Sequence, residues 1–245
     1  MKNKKLPLVQ EIRAIKTKKE IEKIIQAQRI AEAVLIDALA YLRKGISEKE
    51  VADFIQKDFR KKRITALSFS PIVAFGEGSA DIHHVPGKRK LKVGDIIMLD
   101  FGCAIDHYCS DMTRSFFFGN PSAKQKKIYS LVLEAQTKAI NLIMKGEKKA
   151  GKIDAIARNF LGKKFPGNFQ HGLGHGVGTV IHEWPNFKPK SSDVLKAGIV
   201  MTVEPGLYFK GFGGIRIEDM LLITEKGAIN LTNFSKDLES IILPI

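Results

Sequence analysis

The amino-acid sequence contains the same short pattern twice, and this duplication limits the folds open to it more than any other feature. Residues 93–102 read VGDIIMLDFG and residues 197–206 read AGIVMTVEPG, so Asp100 corresponds to Glu204, 104 positions later. Around each copy the same order is predicted: a long helix, a short helix, a strand, and a second strand beside it. We therefore predict an α+β fold of two halves related by a pseudo-twofold axis, with one mixed sheet and helices on its outer face.

Three capping boxes predict the starts of helices, at residues 17–20 (TKKE), 47–50 (SEKE) and 122–125 (SAKQ). In such a box the first and fourth residues bond to each other's backbone N–H groups, which satisfies free donors at the helix start. The two long helices are predicted to end near Gly45 and Gly146, and a further short helix covers residues 153–161. Strands are predicted at residues 69–75, 95–101, 199–203 and 214–224, and in a segment that ends at Phe118.

The chain is predicted to form a single domain. No stretch rich in Pro, Ser or Gly separates the two halves, as a linker between domains would. An apolar content of 44% excludes a disordered chain, and two cysteines are too few for a disulfide scaffold. We expect the domain to cover residues 13–245, after a basic extension at residues 1–12.

Basic residues outnumber acidic ones by 40 to 26, which gives a formal net charge of +14. Because the basic clusters lack interleaved aromatic side chains, we do not expect a nucleic-acid-binding platform beyond a weak association with ribosomal RNA. No apolar run approaches the ~20 residues that span a bilayer. The basic start of the chain is not followed by the apolar segment of a signal peptide, so we expect a cytoplasmic protein without a membrane segment.

Four carboxylates occur in stretches that otherwise read as apolar strands, at Asp100, Asp111, Glu204 and Glu218. A carboxylate in a core strand is costly unless it is paired or bound to a cation. Together with His175, in a glycine-rich stretch, they form an oxygen-rich ligand set with one nitrogen. Such a set favours two divalent ions of manganese, iron or cobalt that share bridging carboxylates.

Six blocks of sequence surround these residues, at residues 83–86 (HHVP), 94–102 (GDIIMLDFG), 108–114 (YCSDMTR), 171–183 (HGLGHGVGTVIHE), 203–208 (VEPGLY) and 214–219 (GIRIED). In this order they resemble the dinuclear "pita-bread" metallopeptidases, the family that includes methionine aminopeptidase, aminopeptidase P and prolidase. The resemblance covers residues 13–232 and implies the pita-bread (creatinase/aminopeptidase) fold, with a curved mixed sheet.

The resemblance implies that two divalent metal ions bind to five residues of the chain: Asp100, Asp111, His175, Glu204 and Glu218. Asp111 and Glu218 would bridge both ions. Asp100 would bind one ion, whereas His175 and Glu204 would bind the other. Manganese is the expected metal, with cobalt, iron(II) or zinc as alternatives.

The same resemblance implies a mechanism and its catalytic residues. A hydroxide that bridges the two ions would attack the scissile carbonyl, and Glu204 would carry the proton to the leaving amine. His83, ahead of the Asp100 strand, and His182 would contact the substrate and the tetrahedral intermediate. His171 takes the place of an auxiliary active-site histidine of the proline-specific members and is expected to contribute to substrate binding. No role is predicted for His84, which is expected to be a loop or surface residue.

The final block is similar to that of the Xaa-Pro branch of the family. Residues 213–219 (GGIRIED) differ from the Phe-Glu-His-Thr character of methionine aminopeptidases. The blocks at residues 204–208 and 111–114 are similar to the same branch. Arg216 would place a guanidinium near a substrate carboxylate or carbonyl. The alternative for this side chain is an ion pair with Asp111, Glu218 or Asp219.

The expected function is therefore that of a metallopeptidase, an exopeptidase that cleaves the Xaa-Pro bond at the N-terminus of peptides or in dipeptides. The catalytic part begins near residue 13, a layout similar to that of type I methionine aminopeptidases. Removal of an N-terminal methionine is thus the alternative activity. A second alternative is a binding module without catalysis that contacts RNA or protein. Peptides are the expected substrates, and a monomer and a homodimer both remain open.

Overall fold

A computed structural model describes residues 8–245 of the chain. The first seven residues of the predicted basic extension, among them the lysine-rich start, lie outside the described residues. The predicted domain boundary at residue 13 falls inside the first helix. Within the described part of the chain the α-helices are α1 (Leu8–Ala14), α2 (Lys18–Tyr41), α3 (Glu48–Lys61), α4 (Ala123–Met144) and α5 (Ala150–Gly162). None of these helices is both long enough and apolar enough to cross a membrane.

The strands are mostly short and follow the helices in two groups, β1–β5 after α3 and β6–β13 after α5. They are β1 (Ile72–Phe75), β2 (Ile96–Phe101), β3 (Ala104–Ile105), β4 (Tyr108–Cys109), β5 (Met112–Phe118), β6 (Gly174–Gly176), β7 (Glu183–Phe187), β8 (Val200–Val203), β9 (Gly206–Phe209), β10 (Gly213–Arg216), β11 (Asp219–Ile223), β12 (Ala228–Asn230) and β13 (Ile242–Leu243). One turn of 3₁₀-helix, Gly76–Ala80, follows β1.

Each half of the chain contributes one larger sheet. The first half supplies β1, β2 and β5 of the sheet with the order β1-β2-β5-β13, whose last strand comes from residues 242–243, and the second half supplies the sheet β12-β11-β8-β6-β7. Two small hairpins, β3–β4 and β9–β10, accompany them. The backbone N–H of Glu218 donates to the carbonyl of Thr113 at 3.1 Å, so the two halves meet where their chemistry-bearing residues lie. The pairing of β13 with β5 is parallel and the other pairings are antiparallel, in agreement with the predicted mixed sheet.

The three predicted capping boxes are confirmed. The side chains of Thr17, Ser47 and Ser122 each accept a hydrogen bond from the backbone N–H three residues later. In return, their own backbone N–H groups donate to the side chains of Glu20, Glu50 and Gln125, respectively. A cap of this kind stabilises its helix by about 1 kcal/mol. The caps therefore set where the long helices begin against the sheets, and the apolar faces behind them enter the core.

The strand predicted at residues 214–224 is wrong as a single element. It divides at Ile217 and Glu218: β10 pairs with β9, whereas β11 pairs with β8. The division follows from the hydrogen bonds of these two residues, because the N–H of Ile217 donates to Pro205 and that of Glu218 crosses to the other half. The break leaves the Glu218 side chain outside a regular ladder, at the junction of the halves.

Candidate metal centre

Four acidic side chains converge where the two halves meet. Asp100 lies in β2, Asp111 directly precedes β5, Glu204 directly follows β8, and Glu218 lies between β10 and β11. Only Asp100 is therefore inside a strand, and the prediction that all four occupy strand interiors is wrong. A residue just outside a strand does not follow the alternation of side chains between the two faces of the sheet. Its side chain can therefore point toward the junction of the two halves. His175, at the centre of β6, reaches the same point.

The side chains of Asp111, His175 and Glu218 place one ligand atom each within 4.8 Å of the others. His175 Nε2 lies 3.6 Å from Asp111 Oδ2 and 3.4 Å from Glu204 Oε1. Four of the five predicted ligands thus surround one small volume. The fifth, Asp100, lines the same cavity, but one of its oxygens is engaged by an arginine.

Burial and mutual repulsion determine the protonation of this cluster. Burial, followed by the negative charges of Glu218 and Asp100, raises the pKa of Asp111 well above its ordinary value. Burial and the charges of Glu204 and Asp100 do the same to the pKa of Glu218. The protein alone therefore supplies too little positive charge for this many buried carboxylates.

His175 presents an unprotonated nitrogen to these carboxylates. Its Nδ1 lies 3.1 Å from the carbonyl of Gly176, and since a carbonyl only accepts, Nδ1 carries the proton. Burial lowers the pKa of His175, which keeps the ring neutral. The lone pair of Nε2 thus faces the oxygens of Asp111 and Glu204. Two electron-rich partners at this separation are compatible when a cation lies between them.

Arg216 is buried, with an exposed fraction of 2%, and each of its three nitrogens has a partner. Nη2 donates to Asp100 Oδ2 at 2.5 Å, Nη1 to Tyr208 Oη at 2.9 Å, and Nε to Thr113 Oγ1 at 3.0 Å. Thr113 Oγ1 in turn donates to Glu218 Oε2 at 2.7 Å. These contacts agree with the ion-pair alternative for Arg216, but its partner is Asp100 and not one of the three predicted carboxylates.

Asp100 is left with one free oxygen. Its Oδ1 is buried and has no hydrogen-bond partner among the described residues. A buried carboxylate oxygen without a partner is expensive, so it indicates a ligand that the protein chain does not provide. Because this oxygen belongs to a predicted ligand of the centre, a divalent ion would suit it as a partner.

His171 lies behind Glu204 and is not among the residues that line the cavity. Its Nδ1 is 2.7 Å from the carbonyl of Gly172 and therefore carries the proton. Its Nε2 accepts the hydroxyl hydrogen of Tyr208 at 2.7 Å. Burial lowers the pKa of His171, in keeping with this neutral form. Nδ1 is also 4.0 Å from Glu204 Oε2, so the structure places His171 beside the predicted proton carrier.

His83 and His182 are both exposed and both line the cavity. The ring of His182 crosses that of His175 with 4.3 Å between centroids and an interplanar angle of 75°. Burial, followed by the neighbouring His175, lowers the pKa of His182. His83 lies in the long segment between the 3₁₀ turn and β2. The structure thus brings both histidines predicted to contact substrate to one opening.

The cavity above the acidic cluster has a volume of about 370 Å³. Its floor carries the acidic side chains, and its walls combine the histidines with an apolar surface. The apolar surface is formed by Phe69, Pro71, Ile72, Ile82, Val85, Pro86 and Ile181. A volume of this size is at the lower end of the range for small-molecule sites, which suits a short peptide.

Sequence reasoning assigned no role to several residues that support the site. Thr113 and Tyr208 belong to the blocks that carry the resemblance, yet their contacts to Arg216 were not predicted. His84 was expected to be a loop or surface residue, but its Nε2 lies 2.8 Å from Oε2 of the buried Glu48. The contact between His84 and Glu48 joins α3 to the segment that carries His83. Because the two residues are 36 positions apart, no local sequence pattern predicts this contact.

Comparisons with known proteins agree with this site. The profile of Metallopeptidase family M24 matches residues 22–225. An uncharacterized peptidase of Staphylococcus aureus strain MSSA476 is 40% identical over 229 residues, and the match covers 93% of this chain and 65% of that protein. The chain therefore spans about two thirds of the length of this curated relative.

Solved structures of similar proteins superimpose closely. An X-Pro aminopeptidase from Thermotoga maritima is 36% identical with a TM-score of 0.91, and the match covers 97% of this chain and 66% of that one. An Xaa-Pro dipeptidase from Bacillus anthracis is 40% identical with a TM-score of 0.90, covering 96% and 66%. The prolidase from Pyrococcus furiosus is 39% identical with a TM-score of 0.88, covering 93% and 68%. The predicted α+β pita-bread fold is confirmed.

Proposed function

Because the chain belongs to metallopeptidase family M24, we propose that it is a metal-dependent exopeptidase that hydrolyses Xaa-Pro bonds. The substrates would be dipeptides or the N-terminal ends of longer peptides. The observation that carries the proposal is the convergence of Asp111, His175 and Glu218 on one volume at the base of a peptide-sized cavity. The solved relatives named for Xaa-Pro activity support this specificity over methionine removal.

The residues that would hold the metal fit two divalent ions. Among residues 8–245 the acidic cluster lacks balancing positive charge and Asp100 Oδ1 lacks a partner, and His175 presents a free lone pair. Oxygen ligands with a single nitrogen favour manganese, with cobalt, iron(II) or zinc as alternatives. When bound, such ions would lower the pKa of a water molecule to about 7 and polarise the scissile carbonyl.

Glu204 is the residue proposed to move the proton. It lines the cavity, its side chain is 17% exposed, and burial raises the pKa of its carboxyl group. A carboxylate with a raised pKa can accept a proton from the attacking water and release it to the leaving amine. His171 lies beside the carboxylate, with 4.0 Å between its Nδ1 and Glu204 Oε2, while its Nδ1 proton is donated to the carbonyl of Gly172.

His83 and His182 are proposed to hold the peptide. Both are exposed at the cavity, so each can donate a ring N–H to a backbone carbonyl of the substrate or to the oxygen that develops charge. The apolar wall at Phe69, Pro71 and Ile72 offers contact to a proline ring or an apolar side chain. Arg216 would act chiefly by orienting Asp100, and a direct contact with the substrate is the alternative.

Hydrolysis of three matched peptides tests the proposal: Met-Ala-Ser, Ala-Pro and Ala-Pro-Ala, with added Mn²⁺ or Co²⁺. Cleavage confined to the proline peptides is expected, and the ratio between the two distinguishes a dipeptidase from an aminopeptidase. The matched control is Glu204→Gln, which keeps the size of the side chain and removes the proton carrier. Cleavage of Met-Ala-Ser alone would instead identify a methionine aminopeptidase. No cleavage of any peptide by a metal-loaded protein would favour a binding module.

A further inference from the structure

We propose that Gln136, in α4, is a positioning residue that sets the spacing between Glu204 and Glu218. Its side-chain Nε2 donates to the carbonyl of Val203 at 2.9 Å and to the carbonyl of Ile217 at 3.1 Å. Val203 and Ile217 are the residues directly before the two glutamates. One fully buried amide group therefore joins the two chain segments that deliver both glutamate ligands.

The β8–β11 ladder brings these two segments side by side, with Val203 opposite Asp219, but it ends there, and Glu204 and Glu218 both lie just outside it. The backbone N–H of Glu204 donates to the carbonyl of Leu173 at 2.8 Å, whereas that of Glu218 donates to Thr113 at 3.1 Å. The two glutamates are thus anchored to different neighbours. Only one Cα–Cα step of about 3.8 Å separates each carbonyl-bearing residue from its glutamate. An amide that holds both carbonyls therefore limits how far the two carboxylates can move apart.

The orientation of the Gln136 amide follows from its third contact. Its Oε1 accepts from Lys236 Nζ at 2.8 Å, and an ammonium group only donates. The oxygen must therefore face Lys236, and the NH₂ group must face the two carbonyls. Lys236 also forms an ion pair with Asp219, which follows Glu218 directly. All the hydrogen-bonding groups of the amide are used, so its position is strongly determined.

A second buried group holds the same segment from the other side. Arg114 donates to the backbone carbonyl of Glu218 and, at 2.7 Å, to Asp219 Oδ1. The peptide groups before and after Glu218 are thus both fixed by charged or amide donors. Glu204 has fewer such restraints, since its side chain makes only a 3.4 Å contact from Thr202 Oγ1 beside the histidine contacts. Beyond the end of the β8–β11 ladder, Gln136 is a further link between Glu204 and the more restrained Glu218.

The inference rests on the proposed metal centre, and its consequence concerns metal affinity. Without the amide donors, the carbonyls of Val203 and Ile217 lose these hydrogen bonds, and the two glutamates, which lie beyond the end of the β8–β11 ladder, are held less firmly at their present separation. Residues that orient metal ligands typically change metal affinity by about 10–100-fold when they are replaced. We expect a loss of this size for variants that remove the donors and retain the shape.

The test uses Gln136→Met and Gln136→Glu, which keep the length of the side chain and lack the NH₂ donors. The glutamate variant can still accept from Lys236. Gln125→Met is the matched control, because Gln125 lies in the same helix, is also buried, and donates to the carbonyl of Gly94 at 2.8 Å, away from the glutamates. The measurements are the Mn²⁺ dissociation constants of the metal-stripped proteins by calorimetric titration, and their urea unfolding in chelator.

Both Gln136 variants should bind Mn²⁺ about 10–100-fold more weakly than the wild type, and Gln125→Met should bind it within twofold. A structural role alone would lower the stability of all three variants and leave the Mn²⁺ affinity of the folded protein unchanged, which would overturn the inference. If one Gln136 variant fails to fold, the other decides the outcome. A wild-type protein that binds no Mn²⁺ would instead refute the proposed metal centre itself.

Discussion

Replacing Asp111 by asparagine is expected to stabilise the metal-free protein while removing its response to metal. Asp111 is 4% exposed, and burial together with the charges of Glu218 and Asp100 raises its pKa. A carboxyl group with a raised pKa in the folded state opposes folding as the pH rises above its unfolded value near 4. Asparagine has nearly the same shape and no charge, so it removes this opposition.

The separation between the carboxylates sets the size of the effect. An oxygen of Asp111 and one of Glu218 lie within 4.8 Å of each other. At an effective dielectric constant of about 20, two unit charges at this separation repel by about 3.5 kcal/mol. Keeping one carboxyl protonated at pH 7 instead costs about 4 kcal/mol relative to its ordinary pKa near 3.9. After relaxation we expect Asp111→Asn to raise the free energy of unfolding by about 2–3 kcal/mol at pH 7.5.

Urea unfolding in chelator, followed by circular dichroism and by the fluorescence of the single tryptophan, measures this difference. The gain should shrink as the pH falls toward the unfolded pKa near 4 and vanish at about pH 3, where the carboxyl groups are protonated in both states. In excess Mn²⁺ the order should reverse, since a ligand at 1,000 times its dissociation constant stabilises by about 4 kcal/mol. The surface control Asp53→Asn, beside Lys49, should shift stability by less than about 0.5 kcal/mol. An Asp111→Asn protein that is less stable than wild type in chelator at pH 7.5 would refute the reasoning.

Three further predictions follow from other contacts. Because burial raises the pKa of Glu218 and that of Asp111, Mn²⁺ binding near pH 6 should release protons. Titration calorimetry in buffers of different ionisation enthalpy measures these protons, and equal heats in all buffers would contradict the expectation. Glu48→Gln weakens the contact to His84, in the segment that carries His83, and should lower kcat/KM about tenfold while the Mn²⁺ affinity stays unchanged. A parallel loss of Mn²⁺ affinity would contradict this expectation. Lys16→Met leaves the buried Glu183 with less charge compensation and should lower the free energy of unfolding by about 2 kcal/mol. Urea titration measures this change, and an unchanged free energy of unfolding would show that the Lys16–Glu183 ion pair does not stabilise the fold.

The parts of the fold and site that the sequence predicts are those with local signals. Capping boxes are contained within four residues, and all three are present in the structure. The proposed ligands stand out because carboxylates are rare in apolar stretches, and a glycine-rich stretch surrounds His175. The repeat between residues 93–102 and 197–206 indicates that two halves meet, since each copy carries one acidic residue at the same place.

The parts that escape prediction depend on long-range contacts. The strand at residues 214–224 divides because Glu218 bonds to Thr113, more than 100 positions away. Arg216 forms its ion pair with Asp100, 116 positions away, and not with the carboxylates that are nearer to it in the sequence. Gln136 reads as an ordinary helical residue, and its two acceptors are 67 and 81 positions distant. Spacing within one element carries no information about such pairings, because they arise only when the two halves pack together.

The number of divalent ions bound per chain tests the proposed dinuclear centre most directly. Metal-stripped protein is dialysed against Mn²⁺, and its metal content is measured by inductively coupled plasma mass spectrometry. The account predicts two ions per chain for the wild type and at most one for His175→Ala, because His175 is proposed to bind only one of them. Fewer than two ions in the wild type at saturation, or two ions retained without the imidazole, would contradict it.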